Sequence, residues 1–133
     1  MKKIEHLGIA VENLDRANKL FEKVFGKKHY KIEKVEKEGV ITSFFKIGEN
    51  KIELLAPTNE DSPISKFLIN RKHGMHHIAF EVDDIISEMS RIQNEGIRLL
   101  NDTPKNGADN KLICFLHPKD TNGVLIELTQ TKF

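Results

Sequence analysis

The chain has almost no cysteine, no excess of one charge and no long apolar run, and each absence excludes something. Cys114 is the sole cysteine. An intrachain disulfide and a cysteine-rich zinc site are therefore excluded, and the chain fits a reducing compartment. Twenty-one basic residues against 20 acidic ones leave a formal charge of +1. That balance argues against a general polyanion binder, because nucleic-acid modules carry a basic excess. No apolar stretch approaches the roughly 20 residues of a spanning helix, so no membrane partner is expected. The opening "MKKIEHLGIAV" starts basic, but Glu5 and His6 interrupt its apolar run and make it a poor signal peptide. With 38% hydrophobic and 31% charged residues over 133 positions, what remains is a soluble globular chain. Its length suits one domain with a real core, and a cytoplasmic location is expected.

What is present is a repeat. "IEHLGIAVENL" (4–14) lies over "MHHIAFEVDDI" (75–85), with His6 on His77, Ile9 on Phe80 and Val11 on Val82. A helical pattern follows each segment. Leu14, Ala17, Leu20, Phe21, Val24 and Phe25 recur at helical spacing in the first half, capped by Asn13 and stopped by Gly26. Ile85, Met89 and Ile92 do so in the second, with Asp83 or Asp84 as cap and Gly96 at the end. Strand-like runs come next. They are "HYKIEKVE", "GVITSFFKIG" and "KIELLAP" in one half, and "IRLL", "KLICFLHP" and "GVLIELTQ" in the other. "IEL" at 52–54 lies over "IEL" at 126–128, which pairs Glu53 with Glu127. The chain thus reads as one domain, 1–133, built of two β-α-β-β-β modules at about 1–56 and 74–133. A linker at 57–73 carries a short helix from Pro63 to about Arg71, with proline suited to the first turn.

Strand alternation sorts the faces. Helices must cover the more continuous apolar face, Leu7, Ile9 and Val11 in the first strand and His76, Ile78, Phe80 and Val82 in the fifth. His6 and His77 then fall on the opposite face. The same rule puts Glu53 and Glu127 away from the helices. Two histidines and two glutamates on one surface are the donor set of a metal site that leaves positions open for catalysis. Imidazole and carboxylate suit cobalt, zinc, nickel, manganese or iron alike, one divalent ion per chain. His76 is expected to pack under the helix layer.

These residues resemble the vicinal oxygen chelate superfamily and, within it, the methylmalonyl-CoA epimerase family. The likeness rests on "HLGIAVENLDRA", "IELLAP", "DSPISKFL", "GMHHIAFEVDDI" and above all "FLHPKDTNGVLIELTQ". It implies an α+β fold, with eight strands in a curved mixed sheet around a metal cavity, and a homodimer. It also implies a metal-dependent enzyme that inverts carbon 2 of methylmalonyl-CoA through an enolate. His6, His77 and Glu127 match the family's metal ligands, and Glu53 stands where some relatives have glutamine. Glu127 and Glu53 are the expected bases for the two faces of the substrate. Some relatives carry a catalytic glutamate after a "GV" turn; the matching position here is Thr42, which cannot act as that base. Lys105, Lys111 and Lys119 are candidates for contacts to the acyl-CoA. Two other readings share the fold: a glyoxalase-like hemithioacetal isomerase, and a drug-binding resistance protein without catalysis. A ring-cleaving dioxygenase would use two histidines and one glutamate on iron, in a longer chain.

Overall fold

The computed structural model describes residues 1–132; the last residue of the second repeat, Phe133, lies outside them. Eight strands and three α-helices follow the expected order. They are β1 (Lys3–Ala10), α1 (Leu14–Phe25), β2 (Lys31–Val35), β3 (Val40–Ile47), β4 (Asn50–Pro57), α2 (Pro63–Asn70), β5 (Gly74–Glu81), α3 (Ile85–Asn94), β6 (Lys105–Gly107), β7 (Lys111–Phe115) and β8 (Ile126–Thr131). The strands hydrogen-bond in the order β2-β3-β4-β1-β5-β8-β7-β6. The β5–β8 pair is parallel and the β2–β3, β3–β4, β6–β7 and β7–β8 pairs are antiparallel. The sheet is therefore mixed, as the family resemblance implies, and the class is α+β.

Side-chain caps set the helix ends. The Arg16 N–H donates to Asn13 Oδ1 at 2.9 Å at the start of α1, and Gly26, at φ 71°, closes it by donating to the Glu22 carbonyl. Ser62 caps α2, with Pro63 in the first turn. Of the two aspartates before α3, Asp84 is the cap, accepting from the Ser87 N–H at 3.2 Å.

The chain packs as two compact units. One comprises Leu7–His76. There α1 packs on β3 and β4 over a core of Val11, Ala17, Phe45, Leu54 and Ala56, and α2 covers Ala10, Val40 and Leu55 through Ile64. The other unit comprises Met1–His6 with His77–Phe133. Its core joins Ile85, Met89 and Ile92 of α3 to Val82, Cys114, Leu116 and Leu128. The start of β1 belongs to this second unit: the Lys2 N–H donates to the Glu81 carbonyl at 2.8 Å.

One expected strand is displaced. "IRLL" (97–100) is not a regular strand; Leu99 makes only an isolated bridge with Leu116. The sixth strand is the three residues Lys105–Gly107. The reason is local competition from side chains. Asn101 Oδ1 accepts the Phe115 N–H at 3.1 Å, where a strand carbonyl would sit, and its Nδ2 donates to the Thr103 carbonyl at 2.7 Å. Asp120 clamps the other end, taking the Arg98 backbone N–H at 2.8 Å and both sides of its guanidinium fork at 2.9 Å. Residues 108–110 form the β6–β7 turn. Asp109 and Asn110 there adopt positive φ of 58° and 57°, which these two residue types tolerate.

Candidate metal centre

Three side chains from three strands of one unit converge. His6 ends the stretch of β1 in this unit, His77 opens its part of β5, and Glu127 stands in β8. The parallel register sets Glu127 opposite Ala79, two residues along from His77, so the histidine and the glutamate project from the same face. All three are buried. His6 Nε2 lies 2.9 Å from His77 Nε2, and Glu127 Oε1 lies 3.3 Å from His77 Nε2 and 3.8 Å from His6 Nε2. The three ligand atoms fall within 4.8 Å of one another.

His6 also has a partner behind it. Its Nδ1 lies 2.7 Å from Glu5 Oε1. A carboxylate there accepts from Nδ1–H, so the Nε2 lone pair is turned towards His77 and Glu127. This is the carboxylate–histidine arrangement that orients metal-ligating imidazoles. Two imidazole nitrogens and a carboxylate oxygen, buried together with one tautomer fixed, fit a divalent transition ion.

His76 goes the other way. Its ring meets Phe67 of α2 edge-on at 5.0 Å between centroids, and burial pushes its pKa from 6.5 down to about 4. It is a neutral packing residue of the other unit, as alternation predicts.

The remaining candidates are placed as follows. Glu53 is buried on β4, opposite Phe44 in register, with its Oε2 3.8 Å from Lys51 Nζ. Lys51 is itself buried, and its ammonium lies 5.6 Å from the Phe44 ring centroid. Thr42, also buried, lies one step further along the same face of β3. Lys105 Nζ lies 5.7 Å from the centroid of Phe115, and that ring stands edge-on to His77 at 5.8 Å. Lys105 thus approaches the centre through an aromatic ring. Lys111 instead donates to Thr131 Oγ1 at 2.7 Å, and Lys119 is exposed on a short 3-10 turn, Pro118–Asp120.

Sequence reasoning missed Glu5 and Phe115. Alternation assigns Glu5 to the face opposite His6, and only the adjacency "EH" could have suggested a carboxylate behind the imidazole. Phe115 lies in the "FLHP" block, where it reads as an ordinary strand aromatic.

Residues 5–115 match the Glyoxalase/Bleomycin resistance protein/Dioxygenase superfamily. The chain is 40% identical over 130 residues to the ethylmalonyl-CoA/methylmalonyl-CoA epimerase of Cereibacter sphaeroides, covering 96% of this chain and 97% of that protein. It is also 40% identical over 129 residues to the mitochondrial methylmalonyl-CoA epimerase of Mus musculus, covering 96% and 72%. Among solved structures it resembles a Streptomyces coelicolor methylmalonyl-CoA epimerase variant in complex with 2-nitronate-propionyl-CoA. The TM-score is 0.96 at 36% identity, over 100% of this chain and 99% of that one.

Proposed function

The chain belongs to the Glyoxalase/Bleomycin resistance protein/Dioxygenase superfamily, and from that premise we propose that it is an isomerase that inverts carbon 2 of methylmalonyl-CoA. The carrying observation is the buried cluster of His6, His77 and Glu127, backed by Glu5, in a chain that aligns almost end to end with epimerases of that substrate.

His6, His77 and Glu127 would hold one divalent ion, whose charge, when bound, stabilises the negative charge that develops on the thioester oxygen as the carbon 2 proton leaves. Glu5 fixes the imidazole of His6 in the tautomer such a site needs. Glu127 is the base for one face of carbon 2: it is a buried carboxylate beside the proposed metal site, and a carboxylate accepts a proton. Glu53, its equivalent in the sequence repeat, is the candidate for the other face. Its carboxylate already has a cation beside it in Lys51, so it has less need of a metal than a bare buried carboxylate would. Lys105 is the favoured contact for an anionic part of the acyl-CoA, because it alone of the three candidate lysines adjoins a ring that touches His77. We further propose a homodimer in the cytoplasm; the buried thiol of Cys114 supports a reducing compartment.

The test is exchange. In deuterated water with a divalent ion supplied, the protein should place deuterium at carbon 2 of methylmalonyl-CoA and interconvert its two isomers. Absence of exchange, together with turnover of a hemithioacetal, would overturn the epimerase reading in favour of the glyoxalase one.

A further inference from the structure

We propose that Phe115 determines which 2-alkyl group the site accepts, by forming the apolar wall beside the base; this rests on the epimerase reading above. The register places Phe115 directly across from Glu127 on adjoining strands. Residues so paired project from the same face with β-carbons about 5 Å apart. The ring of Phe115 also stands edge-on to His77, 5.8 Å between centroids at 90°. It therefore touches one ligand histidine and flanks the proposed base.

Carbon 2 of the substrate carries a proton, a carboxylate, a thioester carbonyl and an alkyl group. The first three have polar destinations. The proton goes to Glu127, and the two oxygen-bearing groups seek cations and N–H donors. Only the alkyl group gains by leaving water for an apolar surface. The half-buried ring of Phe115 supplies that surface next to Glu127.

The backbone that carries the ring is held. The Phe115 N–H donates to Asn101 Oδ1 at 3.1 Å, and its carbonyl accepts from the Leu100 N–H at 2.8 Å. Lys105 Nζ sits 5.7 Å from the ring centroid. A ring whose backbone is pinned and whose sides border an imidazole and an ammonium narrows the space for a longer chain. It should favour methyl over ethyl.

The experiment compares carbon 2 exchange of methylmalonyl-CoA and ethylmalonyl-CoA in the unaltered protein, Phe115→Leu and Phe115→Ala. One methylene in a fitted apolar pocket is worth about 10- to 200-fold in discrimination. The ratio of kcat/KM for the two thioesters should therefore shift by about tenfold or more towards ethylmalonyl-CoA in Phe115→Ala, and by less in Phe115→Leu. Circular dichroism and Tm identify folded variants. Should the alanine variant fail to fold, the leucine variant decides, with a shift of about threefold or more supporting the wall. A ratio within twofold of the parent in a folded variant overturns the proposal while leaving the epimerase reading intact. Inactivity of the unaltered protein on both thioesters overturns that reading, and the proposal with it.

Discussion

Glu5 is the residue whose role depends most on a single contact. Its carboxylate lies 2.7 Å from His6 Nδ1, and both side chains are buried. Loss of a carboxylate behind a ligating histidine typically costs about 10- to 100-fold in metal affinity. Glu5→Gln, which keeps the shape and removes the charge, should weaken binding of zinc or cobalt in that range by chelator competition, with Tm close to the parent's. Affinity within twofold of the parent would make Glu5 a bystander. At this scale the sequence was most legible where alternation applies. It separated His77 from His76 correctly, because adjacent strand residues must point apart. It could not find Glu5, because a side chain that reaches round to its neighbour's ring breaks the alternation rule. Alternation also puts Lys51 and Glu53 on one face of β4, because they are two residues apart, and their 3.8 Å ion pair agrees.

Among the elements, the helices were legible because their boundary residues are written in the chain: Asn13 and Gly26 bound α1 and Pro63 opens α2, whereas two adjacent aspartates left the start of α3 open by one residue. The segment between α3 and β7 was not. Its apolar residues 97–100 read as a strand, yet side chains from Asn101 and Asp120 take the bonds a strand would make. Asp120 deserves a test because it joins Arg98 to the turn preceding β8, the strand of Glu127. Hydrogen bonds from the Arg98 guanidinium, then from the Arg98 backbone N–H, hold its carboxyl well below the usual carboxylate range. A carboxylate with a depressed folded pKa stabilises the fold fully above its unfolded value, about 3.9, and loses that contribution as pH falls towards the folded value. Asp120→Asn should therefore lower Tm at pH 7, and the gap from the parent should close as pH drops below about 4. A gap of the same size at pH 7 and pH 3 would show that the charge of Asp120 does not matter. Asp120 is half-buried and its partner Arg98 is exposed, so solvent screening keeps the effect modest.

For the whole molecule, the repeat foretold the element order, and the family resemblance implied the mixed eight-stranded sheet. It did not foretell that Met1–His6 would pack with His77–Phe133, because that is a long-range partition of strands and no local pattern encodes it. The partition has a consequence for metal binding. On the proposed ligand set, a bound ion would tie residues 6, 77 and 127, three points remote in sequence but inside one compact unit. Such an ion binds the folded chain and finds no equivalent site in the unfolded one. At ~100 times its Kd it should add about 2.7 kcal/mol of stability, which raises Tm by several degrees. Calorimetry with zinc or cobalt, then with excess chelator, should show the rise and its reversal. Two alanine variants sharpen the reading. His77→Ala should lose the metal-dependent rise. His76→Ala should start lower by roughly 1–3 kcal/mol, the usual range for a half-buried packing residue, and keep the rise, since its ring packs on Phe67 and takes no part in the cluster. The opposite result, with the rise lost in His76→Ala and kept in His77→Ala, would mean that β5 is out of register by one residue. A rise retained in both would move the ion away from His77 altogether.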